Sequence, residues 1–212
     1  MKQLTLSILL LFVGICVHAQ SSITSVFLNV PDEVISGLDS EAKDKLVSNP
    51  GDTAMVNVET AIYDSIKRLA IADDYIMLQT SPIGTVQIKL LPLINESKII
   101  CVIHTVCSKS CDSQINFYTT NWTPIGQTDL FPKRNIEWFI KSDTDKNSQE
   151  YKNAISALDM NPMKLTISEK DNSISAVYDI KGYLSEDDYK RIEPFLSGQP
   201  KVLTWDKISF KE

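Results

Sequence analysis

The chain has 212 residues, 43% of them apolar and 23% charged, with 21 Lys+Arg against 27 Asp+Glu and a formal net charge of −6. That balance excludes a collagen, a low-complexity chain and a disordered acidic tail, and an acidic surface with scattered basic residues suits neither nucleic acid nor an anionic membrane. The seven glycines, at 14, 37, 51, 84, 126, 182 and 198, are too far apart for a phosphate cradle, a dinucleotide fingerprint or a Gly-x-Ser-x-Gly elbow, and one of the two histidines lies in a segment expected to be removed, which leaves His104 alone and excludes a multi-histidine metal site.

Lys2, the apolar run from Leu4 to Val17 and the small-residue end at Ala19 have the pattern of a secretory signal peptide over residues 1–19. The apolar run is shorter than the roughly twenty residues a membrane span needs, so no transmembrane segment is expected in the mature chain. A lipid anchor on Cys16 is the lesser reading, because Ile15 stands where a lipidation signal wants a small residue. The expected destination is the periplasm or the cell surface. Residues 20–130 are expected to form a helical start plus an antiparallel sheet, and 131–212 a smaller α+β lobe packed on it.

Apolar positions from Val34 to Val47 recur at helical spacing, and Gly37 divides them into two short helices, the second capped by Asp39 or Ser40. From 53 to 121 the pattern is that of strands. Val86, Ile88 and Leu90 alternate with Thr85, Gln87 and Lys89, which predicts a strand with one wet face; Ile99 to Val106 is apolar almost throughout, as a strand covered on both sides would be. The short links Asn95-Glu96-Ser97 and Ser108-Lys109-Ser110 require antiparallel neighbours. Beyond them the spacing predicts helices at 135–140 and 150–158, a hairpin turning at Lys170-Asp171-Asn172, a helix capped by Ser185, and a last strand over 202–210. The fold class is therefore α+β: a predominantly antiparallel meander of four or five strands with N-terminal helices, plus a smaller C-terminal hairpin-helix-strand lobe.

The segments Asp73-Asp74-Tyr75-Ile76, Ile88-Lys89-Leu90-Leu91-Pro92-Leu93, Ile100-Cys101-Val102 and Phe117-Tyr118-Thr119-Thr120-Asn121-Trp122 resemble an uncharacterised family of exported proteins of gut-type Bacteroidetes, a domain of unknown function. The resemblance runs from Pro31-Asp32 to Pro194-Phe195-Leu196 and Trp205. It implies export and the family's fold, and assigns no catalytic residue.

Chemistry-bearing residues are few. Cys107 and Cys111 bracket a three-residue polar tip and would form a disulfide or stand as two free thiols, while Cys101 reads as a buried core thiol. His104 shares a strand face with Val102 and Val106 and reads as a satisfied core residue. Asp143 to Glu150 opens like a calcium loop but has Ser148 where a glycine and Ala154 where a bidentate acid belong, so no metal or other cofactor is expected. The pairs Asp73-Asp74 and Asp187-Asp188 lack, by adjacency, the separation that glycoside hydrolysis needs. Tyr118, Trp122 and Trp138 are the candidate aromatic binding residues. The sequence names no activity. It favours an exported, non-enzymatic binding or interaction module of the cell envelope, its partner an envelope protein or a glycan; the alternative is a carboxylate-dependent hydrolase acting on polysaccharide or another envelope substrate.

Overall fold

The computed structural model describes residues 21–49, 55–60, 62, 65–126 and 128–212. The leader expected over 1–19 lies outside them. The chain enters through helix α1 (Ile23–Phe27), which the sequence reading missed; Ser22 and Ser25 exchange side chain and backbone as a capping box. Pro31–Gly37 forms turns in place of the first predicted helix, and Gly37 at φ 77° turns the chain out of any helical path before α2. Helix α2 (Ser40–Val47) follows as expected, with Asp39 accepting the Ala42 N–H at 2.8 Å.

Among the described residues, seven strands then form one antiparallel meander: β1 (Val56–Val58), β2 (Ile66–Ala72), β3 (Tyr75–Gln79), β4 (Gly84–Pro92), β5 (Lys98–Cys107), β6 (Cys111–Thr119) and β7 (Pro124–Ile125), in spatial order of sequence. The two strands at its margins, β1 and β7, are too short for alternation to betray them, which is why four or five were expected. The chain continues through a 3₁₀ turn (Ile136–Phe139) and helix α3 (Gln149–Ser156), both near their predicted places. Strands β8 (Met163–Ile167) and β9 (Ser173–Tyr178), helix α4 (Glu186–Ile192), a 3₁₀ turn (Glu193–Phe195) and strands β10 (Lys201–Trp205) and β11 (Phe210–Lys211) complete it. The second sheet is antiparallel, in the order β11-β10-β9-β8. The single last strand predicted over 202–210 is a hairpin, turned where Asp206 Oδ1 accepts the N–H groups of Ile208 and Ser209 and Lys207 takes φ 74°.

The large sheet is buried on both faces. Ile76, Ile88, Ile100 and Val102 point to one core under α1 and α2; Cys101, Ile103, Ile115 and Phe117 point to another, shared with the inward side chains of the second sheet. This overturns the wet face predicted for β4. Gln87 and Lys89 are 3% and 1% exposed, because β8 lies across that face.

β8 is the end strand of its sheet, and its outer backbone groups need partners. Side chains of the large sheet supply them. Asp112 Oδ1 accepts the Met163 N–H at 3.0 Å and Ser113 Oγ the Leu165 N–H at 2.9 Å. The Gln87 amide donates to the Leu165 carbonyl at 3.4 Å and accepts the Ile167 N–H at 3.2 Å, the two bonds a residue of a parallel strand would make. Just past the end of β8, Lys89 Nζ donates to the Glu169 carbonyl at 2.9 Å and also to Asp74 at 3.0 Å. Two indoles tie down the flanks: Trp122 Nε1 donates to the Val26 carbonyl (3.0 Å), holding α1, and Trp205 Nε1 to the Pro92 carbonyl (2.7 Å), holding the second sheet.

Gln87→Leu keeps the volume and strands a buried N–H and a buried carbonyl on β8. Urea unfolding is expected to show a loss of about 2–4 kcal/mol, whereas Lys164→Ala on the exposed side of the same strand changes stability by less than about 0.5 kcal/mol.

Candidate binding pocket

The second sheet carries α4 and its 3₁₀ extension on a crossover from β9 to β10, and this crossover is pinned to the segment before α3. Ser197 N donates to the Phe139 carbonyl at 2.7 Å, Lys141 N to the Phe195 carbonyl at 2.9 Å, and Ile140 and Leu196 form an isolated antiparallel bridge. Tyr151 of α3 packs edge-on against Phe195, with centroids 5.4 Å apart. Between these pieces is a pocket of about 300 Å³, at the small end of the range for ligand sites.

Its lining is aromatic below and polar at the rim. Phe139 and Tyr178 stack with centroids 5.5 Å apart and planes 13° from parallel. Across from them, the Lys181 ammonium stands 5.2 Å from the ring centroid of Tyr189. Burial pushes the Tyr178 phenol up to about 12; burial first, then the Glu193 carboxylate, raises that of Tyr189. Both rings therefore stay neutral donors at ordinary pH, beside a cation and an acid. Ile180 and Lys181 bring the turn after β9 into the pocket wall.

That turn rests on the tip of the β5–β6 hairpin. Cys107 and Cys111 are joined by a disulfide, and both are half-buried. Cys111 N donates to Asp179 Oδ2 at 2.7 Å. A methyl group on Gly182 would fall 2.0 Å from the Lys109 carbonyl oxygen, so the hairpin tip and the turn meet backbone to backbone. Cys101 is a free, fully buried thiol whose pKa burial drives far up.

The three aromatic candidates do not share a face. Tyr118 and Trp122 lie together, centroids 5.6 Å apart, in the core under α1, and Trp138 packs with Phe131 and Phe139 in the other core. His104 Nε2 lies 2.9 Å from the Val34 carbonyl. Of the acidic pairs, Asp74 holds Lys89, and Asp188 accepts from Ser185 at the start of α4. Asp145, within the calcium-like segment, accepts the Asn147 N–H. Among the described residues no group of three or more His, Cys, Asp or Glu could hold a metal ion, and no helix is long and apolar enough to cross a membrane. The pocket residues escaped sequence reading because Tyr178 and Tyr189 looked like ordinary members of a strand and a helix stripe. The available signal was a hydroxyl-bearing ring at each of those apolar positions.

The two antiparallel sheets make this an α+β protein, a class that does not by itself assign an activity. Residues 15–210 match the model of a family described as Protein of unknown function (DUF3256), and the chain belongs to that family. It is also similar to the solved structure of a domain of an uncharacterized protein from Porphyromonas gingivalis W83, with 28% identity, a TM-score of 0.79, and coverage of 88% of this chain and 96% of that one. No curated protein matches it.

Burial raises the phenols of Tyr75 and Tyr178 to about 12. The folded state then holds these protons over a range in which the unfolded chain releases them, so the stability they contribute is whole below about pH 10 and is lost as pH rises toward 12. Ultraviolet titration of the folded protein is expected to show two late phenols of this kind, and denaturant midpoints to fall over the same interval.

Proposed function

We propose that this is an exported, non-catalytic binding protein of the cell envelope, and that the pocket between β9 and α4 takes a glycan fragment of about one sugar ring. The observation that carries the reading is the lining: the aromatic side chains of Phe139, Tyr178 and Tyr189 beside the exposed Lys181, Glu193 and Gln199. A pyranose has one apolar face for the rings and a circle of hydroxyls for a cation, a carboxylate and an amide. Export is supported by the leader pattern of residues 1–19 and by a disulfide of the kind that persists in oxidising compartments. A carboxylate-dependent hydrolase finds less support. Such an enzyme needs a carboxyl raised toward neutrality, and among the described residues the carboxylates whose pKa is displaced, Asp171 and Asp206, are both exposed and pulled down by hydrogen bonds.

The test is a thermal-shift series on the mature chain with soluble peptidoglycan fragments, neutral oligosaccharides and uronic-acid oligosaccharides. A ligand present at a hundred times its Kd adds about 2.7 kcal/mol and raises Tm accordingly. Tyr189→Ala is expected to abolish the shift and Lys181→Ala to weaken it. No shift with any glycan, or a shift that survives Tyr189→Ala, removes this reading.

A further inference from the structure

We propose that the Cys107–Cys111 disulfide is a redox latch on the pocket: reducing it frees the turn that carries Ile180 and Lys181 and loosens the site. The inference rests on the reading of the pocket as a ligand site for its functional consequence, but its structural part stands alone.

The disulfide closes the last pair of the β5–β6 ladder, where Cys107 stands opposite Cys111. Inside it the tip is held by one backbone bond, Ser108 N to the Ser110 carbonyl at 3.0 Å. The cross-link, together with the bond from Cys107 N to the Ile83 carbonyl at 2.8 Å, sets where the Lys109 carbonyl lies, and that carbonyl is seated against Gly182 with no room for a methyl group between them. A second tether, Cys111 N to Asp179 Oδ2, starts from a cysteine of the bond itself. From Asp179 the turn has few attachments of its own: Asp179 N donates to the Pro162 carbonyl at 3.1 Å, and Tyr183 N and Leu184 N both donate to the Ile180 carbonyl. Between the two tethers lie Ile180, buried in the pocket wall, and Lys181, whose ammonium covers Tyr189. The disulfide and the pocket are thus two sides of one short turn.

The reaction is thiol–disulfide exchange with a dithiol. One thiolate of the dithiol attacks a sulfur of the half-buried bond, the S–S bond breaks and a mixed disulfide forms; the second thiol of the reductant displaces it. Two electrons pass to the protein, the dithiol leaves as its own disulfide, and two protons end on Cys107 and Cys111. Two unbonded thiols cannot lie as close as two bonded sulfurs, so the two side chains part, and the tip that they joined, packed against Gly182, loses its cross-link. Cys101 takes no part, since it is buried in the core behind the sheet.

Hydrogen–deuterium exchange on the mature chain, oxidised and after dithiothreitol, reads the latch without any ligand. Amides of 179–184 are expected to exchange about tenfold faster after reduction, while β8 at 163–167 stays protected. Gly182→Ala, with the disulfide intact, is expected to give the same local rise by pushing the tip away. Unchanged exchange at 179–184 in the reduced protein, a rise spread evenly over the chain, or a silent Gly182→Ala overturns the proposal. A pocket that is not a glycan site gives a different result, a flat thermal-shift series with the exchange response intact.

Discussion

The structure depends on how the outer edge of β8 is satisfied. A strand at the end of a sheet presents a row of unpaired N–H and carbonyl groups, and burying that row without partners would cost on the order of 1–3 kcal/mol for each group. Here the row lies across the face of another sheet, where no backbone can reach it. Asp112, Ser113 and Gln87 reach it with side chains, each placed by the register of β4 or β6, and Lys89 takes the Glu169 carbonyl just beyond the strand. The two sheets are thereby joined by directional bonds as well as by apolar contact, and β8 can sit in only one register relative to the large sheet.

That joint explains an otherwise awkward feature, a lysine buried in the centre of the fold. Lys89 keeps two hydrogen-bond acceptors, Asp74 and the Glu169 carbonyl, and lies 5.9 Å from the Tyr75 ring centroid. Its charge is paired and its stem fills space that the second sheet closes over. The large sheet can thus be covered on both faces: helices α1 and α2 on one, fastened by Trp122, and the second sheet on the other, fastened by Trp205.

The pocket is a consequence of the same arrangement. Once β8 and β9 are locked onto the large sheet, the chain must cross from β9 to β10 outside it, and α4 fills that crossover. The walls come from Phe139 and from one continuous stretch, 177–200, that runs from the end of β9 through α4 to the residues before β10. The hairpin tip of the large sheet supports the wall from below through Asp179 and Gly182.

Local rules made much of this fold legible. Alternation marked β4, β6, β8 and β9, capping residues marked α2 and α4, and short links imposed antiparallel neighbours, because each depends on residues a few positions apart. The same rules misled at β4, where polar residues on alternate positions read as a wet face. Thr85, Gln87 and Lys89 look identical on paper whether they meet water or a strand edge, and only the arrival of β8, nearly eighty residues later, decides between them. Likewise the sequence shows Tyr178, Lys181 and Tyr189 as members of separate elements, and Cys107 and Cys111 as a hairpin pair. The meeting of that hairpin tip with the turn after β9 is a long-range event, decided by how the two sheets pack.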